Sequence, residues 1–154
     1  MAHVYVENIG KHVGQEVTLK GWLYHRTDKG RLRFLLVRDG TGIIQCVVFQ
    51  KAVPQEVFEA ADRLTQESSV TVTGTVRAEQ RAPGGYELDV KDLVIVHLSD
   101  TYPITPKEHG TAFLMENRHL WLRSTRQHAI ARVRHTVVKA VRDYLDDQGY
   151  LLVD

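Results

Sequence analysis

Five cations, Arg26, Lys29, Arg31, Arg33 and Arg38, fall within one stretch of the chain, and Trp22, Tyr24 and Phe34 are threaded between them. Positive charge interleaved with flat aromatic surface suits a single-stranded nucleic acid, whose phosphates take the charge and whose unstacked bases need a platform. From Tyr24 to Arg38 there are five Lys or Arg against one Asp, whereas Lys51 to Val70 carries two positive and four negative side chains. Net charge is only +1, so the positive stretch reads as a local footprint and not as a general coat for polyanions. Residue types alone leave a second reading open, an ordinary sheet with a solvated basic edge.

Other chemistries find less support. Cys46 is the single cysteine, so it has no internal disulfide partner, and its place in the apolar run IIQCVV suits a small buried hydrophobe. His128 and His135 lie seven apart with no Cys or paired carboxylate to complete a metal site, and no metal is expected. No apolar run approaches the roughly 20 residues a membrane helix needs, and MAHVYVENIG lacks the apolar core of a signal peptide. A cytoplasmic protein is expected.

The elements that position the basic stretch are short strands. Val17, Leu19, Gly21 and Leu23 alternate with Thr18, Lys20, Trp22 and Tyr24, the period of a half-buried strand. Asp28-Lys29-Gly30 turns the chain, Leu32 to Arg38 forms a second strand, and Asp39-Gly40-Thr41-Gly42 is a strong hairpin signal leading into a third, Ile43 to Phe49. The second and third strands are almost continuously apolar, so either Leu35 and Val37 point inward with Phe34 outward, or the reverse. Before them, Met1 to Gly14 offers one β-prone run, Val4 to Val6, and then a turn or a single helical turn.

Pro54 opens a short helix, PQEVFEAADRL, at a first-turn position where its missing N–H costs nothing, with Val57, Phe58, Ala61 and Leu64 as the buried stripe. Alternation returns in SSVTVTGTVRAEQ, with Val70, Val72, Gly74 and Val76 facing in and Thr71, Thr73, Thr75 and Arg77 facing out. Ala82-Pro83-Gly84-Gly85 turns into the last strand, Tyr86 to Leu98, whose polar face begins with Glu87, Asp89 and Lys91. Five strands with a helix between the third and fourth are the order of an OB-fold, a small Greek-key barrel that binds nucleic acid on strands 2 and 3 and their flanking loops. The helix favours this over an SH3-like barrel.

Residues 1–99 are thus expected to form the barrel domain, 100–112 a proline-bearing linker, and 113–154 the start of a second, incomplete domain. TAFLMENRHLWLRS has no clean period. Ser124-Thr125-Arg126-Gln127 matches a capping box, and a helix should run from Thr125 to Asp147 with Ile130, Val133, Val137, Val141, Tyr144 and Leu145 on one face. Gly149 ends it, and Tyr150 to Val153 reads as a new strand. A helix and one strand cannot bury that stripe alone, so a fragment of a longer protein, or dependence on another subunit, is expected.

With GWLYHR, FLLVRDGTGIIQCVV, YPITPKEHG and FLMENRHLWLRSTRQHAIARVRHTVVKAVRDYL in this order, the chain resembles the N-terminal region of class IIb aminoacyl-tRNA synthetases. Within that group it is similar to the asparaginyl branch, because Arg118-His119-Leu120-Trp121-Leu122-Arg123 stands where aspartyl relatives read closer to R-x-L-D-L-R. The resemblance implies a mainly β anticodon-binding OB barrel, a hinge, and the first long helix of a class II α+β catalytic domain. It further implies that Phe34 stacks on an anticodon base, that Gln45 and Glu87 read base edges, and that Arg26 is the basic contact after the GW signature. Phe34 and Gln45 then point outward, with Leu35, Val37, Ile44, Cys46 and Val48 inward.

The resemblance also implies tRNA as partner, ATP and Mg as cofactors of the full-length enzyme, and a homodimer formed through the helix Thr125 to Asp147. The ATP and amino-acid motifs of that group are missing here, so no catalytic residue is assigned and no cofactor is expected to bind this stretch. Val76-Arg77-Ala78-Glu79 superficially resembles one of them but sits in the fourth barrel strand. Alternatives are an aspartyl enzyme, including one that charges both tRNAs, a free-standing OB module, or a structural barrel. For Glu87 alone, a carboxylate on a solvated edge strand is the competing reading.

Overall fold

The computed structural model describes residues 3–105 and 107–153, which fall into two compact units, Met1–Tyr102 and Pro103–Asp154. In the first, five strands close into a barrel: β1 (Glu16–Lys29), β2 (Leu32–Arg38), β3 (Ile43–Phe49), β4 (Ser69–Ala78) and β5 (Tyr86–His97), in the order β1-β2-β3-β5-β4. A helix, α1 (Gln55–Arg63), stands between β3 and β4 in the chain. β4 pairs back onto β1, and the ring is completed by a short parallel seam in which Gln45, Cys46 and Val47 lie opposite Glu87, Leu88 and Asp89. β2 and β3 keep the limits expected from apolar runs between glycine turns.

β1 is long because it serves both neighbours. Glu16 to Trp22 pair with β4, and Trp22 to Lys29 pair with β2. The pairing slips between Leu23 and His25, a bulge at Tyr24 that bends the strand and reverses which side each later residue faces. Two glycines permit the close strand approaches of a small barrel. A Cβ on Gly21 would lie 2.5 Å from the Arg38 carbonyl oxygen, and one on Gly74 would lie 2.2 Å from that of Asp89. No side chain fits either position.

Leu19, Leu23, Leu35, Val37, Ile44, Cys46, Val48, Val72 and Leu88 fill the interior, each at most 2% exposed. Burial pushes the Cys46 thiol well above its ordinary pKa, the behaviour of a small apolar side chain. α1 buries Val57, Phe58, Ala60 and Ala61 against β5, β2 and β3. Pro54 stands one residue ahead of it as the N-cap, not inside the first turn.

The β-prone Val4 to Val6 makes only a start at pairing. The Val4 N–H donates to the Thr18 carbonyl at 3.1 Å, and a 3-10 helix then runs over Val6–His12. The reason lies in the β2–β3 turn. The Asp39 carboxylate accepts from the Val6 N–H at 2.8 Å, and also from the Thr41 and Gly42 N–H groups at 2.7 and 2.9 Å. One side chain therefore shapes its own turn and ties down the N-terminal segment.

In the second unit, the stretch without a clean period forms two short helices, α2 (Thr111–Glu116) and α3 (Arg118–Trp121). α4 (Thr125–Asp147) follows with its expected limits. Ser124 Oγ accepts the Gln127 N–H at 3.3 Å, the serine half of the capping box. At the other end the Tyr150 N–H reaches the Leu145 carbonyl and the Gly149 N–H that of Asp146, the paired bonds of a Schellman stop. The strand expected over 150–153 does not form; these residues are exposed and carry no assigned element. No helix among the described residues is long and apolar enough to cross a membrane.

Candidate nucleic-acid interface

The pleat of β2 sends Leu35 and Val37 inward and leaves Phe34 and Leu36 half-buried on the outside. On β3, Ile44, Cys46 and Val48 point in while Gln45 and Val47 face out. The ambiguity between the two apolar strands is thus resolved with Phe34 and Gln45 outward. Pairing then lays out two rows across the barrel. One runs Thr27, Phe34, Val47, Asp89, Thr75, and the other His25, Leu36, Gln45, Glu87, Arg77. Phe34 and Gln45 are diagonal neighbours, about 7–8 Å apart by sheet geometry. A base lying on the ring would carry its edge toward the amide.

Gln45, Glu87 and Arg77 form one hydrogen-bonded line over the seam. Gln45 Nε2 donates to Glu87 Oε2 at 3.0 Å, and Arg77 Nε donates to Glu87 Oε1 at 3.0 Å, with a second Arg77 nitrogen on the same oxygen. Arg77 also lies 3.6 Å from Asp89, and these partners, Glu87 first, raise its pKa. Glu87 is 3% exposed on a strand flanked by β3 and β4, so the reading of it as a carboxylate on a solvated edge does not hold.

The arginines are placed differently. Beyond the bulge Arg26 pairs opposite inward-facing Leu35, and its Nη1 donates to the carbonyls of Ala61, Asp62 and Leu64 at 3.0, 2.5 and 3.3 Å. These are groups that the end of α1 leaves without helical partners, where a cation also meets the negative end of the helix dipole. The structure therefore brings Phe34, Gln45 and Glu87 together and sets Arg26 apart, at the foot of α1. Arg33 joins it there, with Nε 2.5 Å from Asp62 Oδ1 and its guanidinium 4.4 Å from the Phe58 ring centroid. The hydrogen bond from Arg33 holds the Asp62 carboxyl below its ordinary pKa.

Arg38 packs over Tyr24 and is held to buried Glu67 at 2.8 Å. Lys29 and Arg31 remain exposed at the β1–β2 turn. A closed barrel has no solvated edge, and three of the five cations bind the protein itself, so the basic-edge reading fails. Two further residues complete the outer row. His25 faces out because of the bulge, which leaves no mark in the sequence pattern. Arg77 was visible as an outward residue of the fourth strand, but only the β4–β5 register reveals Glu87 beside it.

This is the architecture of an OB-fold, with an aromatic ring and an amide facing outward on the second and third strands. The family model described as an OB-fold nucleic acid binding domain of the tRNA anti-codon type matches residues 17–96, just over half of the 154 residues, and the chain belongs to that family. Among curated relatives, an asparagine–tRNA ligase from Chloroflexus aurantiacus is 56% identical over 149 residues, 97% of this chain and 34% of its own length. The asparaginyl-tRNA synthetase of Pyrococcus horikoshii, solved with asparaginyl-adenylate, superposes with a TM-score of 0.90 at 37% identity over 100% of this chain and 36% of that one. The aspartyl-tRNA synthetase of Entamoeba histolytica gives 0.85 at 19% identity over 100% and 39%, a likeness of fold alone. The chain spans about a third of the length of the curated relatives it matches.

Proposed function

We propose that this chain is the anticodon-reading part of an asparagine–tRNA ligase, which uses ATP to activate asparagine and attach it to its tRNA. The observation that carries the proposal is the juxtaposition of Phe34 with the Gln45–Glu87 pair on the outer face of a family barrel. Stacking on an aromatic ring contributes about 1–3 kcal/mol per base, and the amide offers hydrogen-bonding atoms to a base edge. Identity of 56% to an asparagine enzyme favours that amino acid over aspartate. Arg26 enters the reading as the group that fixes α1 against β1, beside the β1–β2 turn with its exposed Lys29 and Arg31.

In this reading the hinge spans 100–112, the catalytic domain begins at 113, and the enzyme works in the cytoplasm. ATP and Mg serve the full-length enzyme in this reading. Among the described residues no group of three or more His, Cys, Asp or Glu is placed to hold a metal ion. The apolar face of α4, with Val133, Val137 and Val141 more than half exposed, packs in the full-length protein against a second copy. Charging assays with each amino acid test the whole: asparaginylation is expected, and aspartylation without it would overturn the assignment.

A further inference from the structure

Beyond the ladder of β5 the chain is held a second time. Pairing with β4 ends at Ser69 opposite His97. His97 and Leu98 are exposed, Ser99 is half-buried again, and Asp100 and Thr101 return to solvent. Two hydroxyls hold Ser99 by both of its backbone groups: its N–H donates to the wholly buried Ser68 Oγ at 3.1 Å, and Thr65 Oγ1 donates to its carbonyl at 2.7 Å. Thr65 has one hydroxyl hydrogen, given to that carbonyl, so in its 2.8 Å contact with Ser68 Oγ it accepts. The bonds therefore run one way round a closed ring, from the Ser99 N–H to Ser68, from Ser68 to Thr65, and from Thr65 to the Ser99 carbonyl.

The ring depends on a strained turn. Thr65 and Ser68 are the first and fourth residues of a turn closed by the Ser68 N–H on the Thr65 carbonyl at 3.1 Å. Glu67, its third residue, has a φ of 67°, the only positive value outside glycine among the described residues, at a position where such a turn ordinarily takes glycine. That conformation persists only where the surroundings over-determine it. Here the Glu67 N–H donates to the Leu23 carbonyl at 2.7 Å and the Leu23 N–H donates to the Ser68 carbonyl at 2.9 Å, while the buried Glu67 carboxylate takes Arg38. The turn is thus pinned to β1 at its bulge and to the end of β2, and it presents its two hydroxyls to Ser99.

We infer that this turn is a catch on the root of the linker. By holding Ser99 at both backbone groups it makes the barrel one rigid body up to that residue, and the freedom of the chain begins at Asp100. Any swing of the linker then pivots at one fixed point instead of fraying back into β5. This rests on the reading of 100–112 as a hinge.

Amide hydrogen exchange and backbone nitrogen relaxation of the 154-residue chain test it. In the wild type the Ser99 amide should be protected, with an order parameter of about 0.85 that falls toward about 0.6 at Asp100 and Thr101. Thr65→Val and Ser68→Ala should each lower Ser99 protection by roughly 2- to 13-fold, and the double variant by less than the product of the two, because each break opens the same ring. Protection along β4 and β5 should hold. Thr65→Ser restores the hydroxyl and should behave as wild type. Thr65 is exposed, so Thr65→Val remains a test if Ser68→Ala fails to fold.

An unchanged Ser99 in Thr65→Val, or a loss spread evenly over β4 and β5, would overturn the inference, the second by making the hydroxyls general stabilisers of the barrel. A Ser99 as loose as Thr101 in the wild type would overturn the catch alone. Asp100 and Thr101 as ordered as Ser99 would overturn the hinge reading, and the pivot with it.

Discussion

Arg33 and Phe34 are consecutive residues, and the pleat of β2 sends them to different tasks. Arg33 turns toward α1, where Asp62 and the Phe58 ring hold it; Phe34 faces outward beside Val47, one diagonal from Gln45. The same division runs through the whole basic stretch. Arg26 and Arg33 stabilise the joint between sheet and helix, while the residues left on the outer face are an aromatic ring, an amide and a buried carboxylate. Charge density along a sequence therefore does not tell which cations face solvent and which bind the protein itself.

The sharpest way to break that division is to damage the layer both sides share. Leu35 is wholly buried between Phe34 and Leu36, and Leu35→Ala should cost about 2–5 kcal/mol of stability, read by denaturant melts. RNA affinity should fall only in proportion to the folded fraction. Next, Phe34→Ala should weaken stem-loop binding by about 1–3 kcal/mol, measured by calorimetry, with little change in the melting temperature. Equal loss of stability and affinity would place Phe34 in the fold and not on the ligand.

Arg26→Ala should show the opposite signature. Losing its bonds to the α1 carbonyls should cost about 1 kcal/mol, visible as a lower melting temperature and faster amide exchange in α1. Affinity per folded molecule should change less than for Phe34→Ala. The smallest effect expected is a pH dependence at Asp62. Its native pKa is depressed by Arg33, so its contribution is present above the unfolded carboxylate value near 3.9 and lost as pH falls through the lower native value. The pair is partly exposed, so a few tenths of a kcal/mol are expected. The stability difference between wild type and Asp62→Asn should close as the pH is lowered from about 5 through that range.

These contrasts also mark what the chain disclosed before its structure. The limits of β2 and β3 were legible because glycine turns bound their apolar runs. Which face was which was not, because Leu36 and Val47 are apolar on the outer side as well, and only the resemblance to known synthetases separated Phe34 from the core. The bulge at Tyr24 was invisible, since one extra residue in a strand leaves the composition unchanged, and it is what turned Arg26 inward and His25 outward. α2 and α3 are too short, at six and four residues, to display a helical period. Arg77 and Glu87 each stood in a predicted strand, but their pairing depends on a register set by the β4–β5 turn.

The seam between β3 and β5 carries a consequence of its own. It joins the barrel through three residue pairs, and one of them is Gln45 with Glu87, so the contact that shuts the ring is also the contact proposed to read a base. Specificity and closure are then two readouts of a single clasp. A ligand that engages Gln45 in its held orientation must favour the shut ring over any sprung form, and amide protons along β3 and β5 should exchange more slowly in its presence than those of β1 near Glu16.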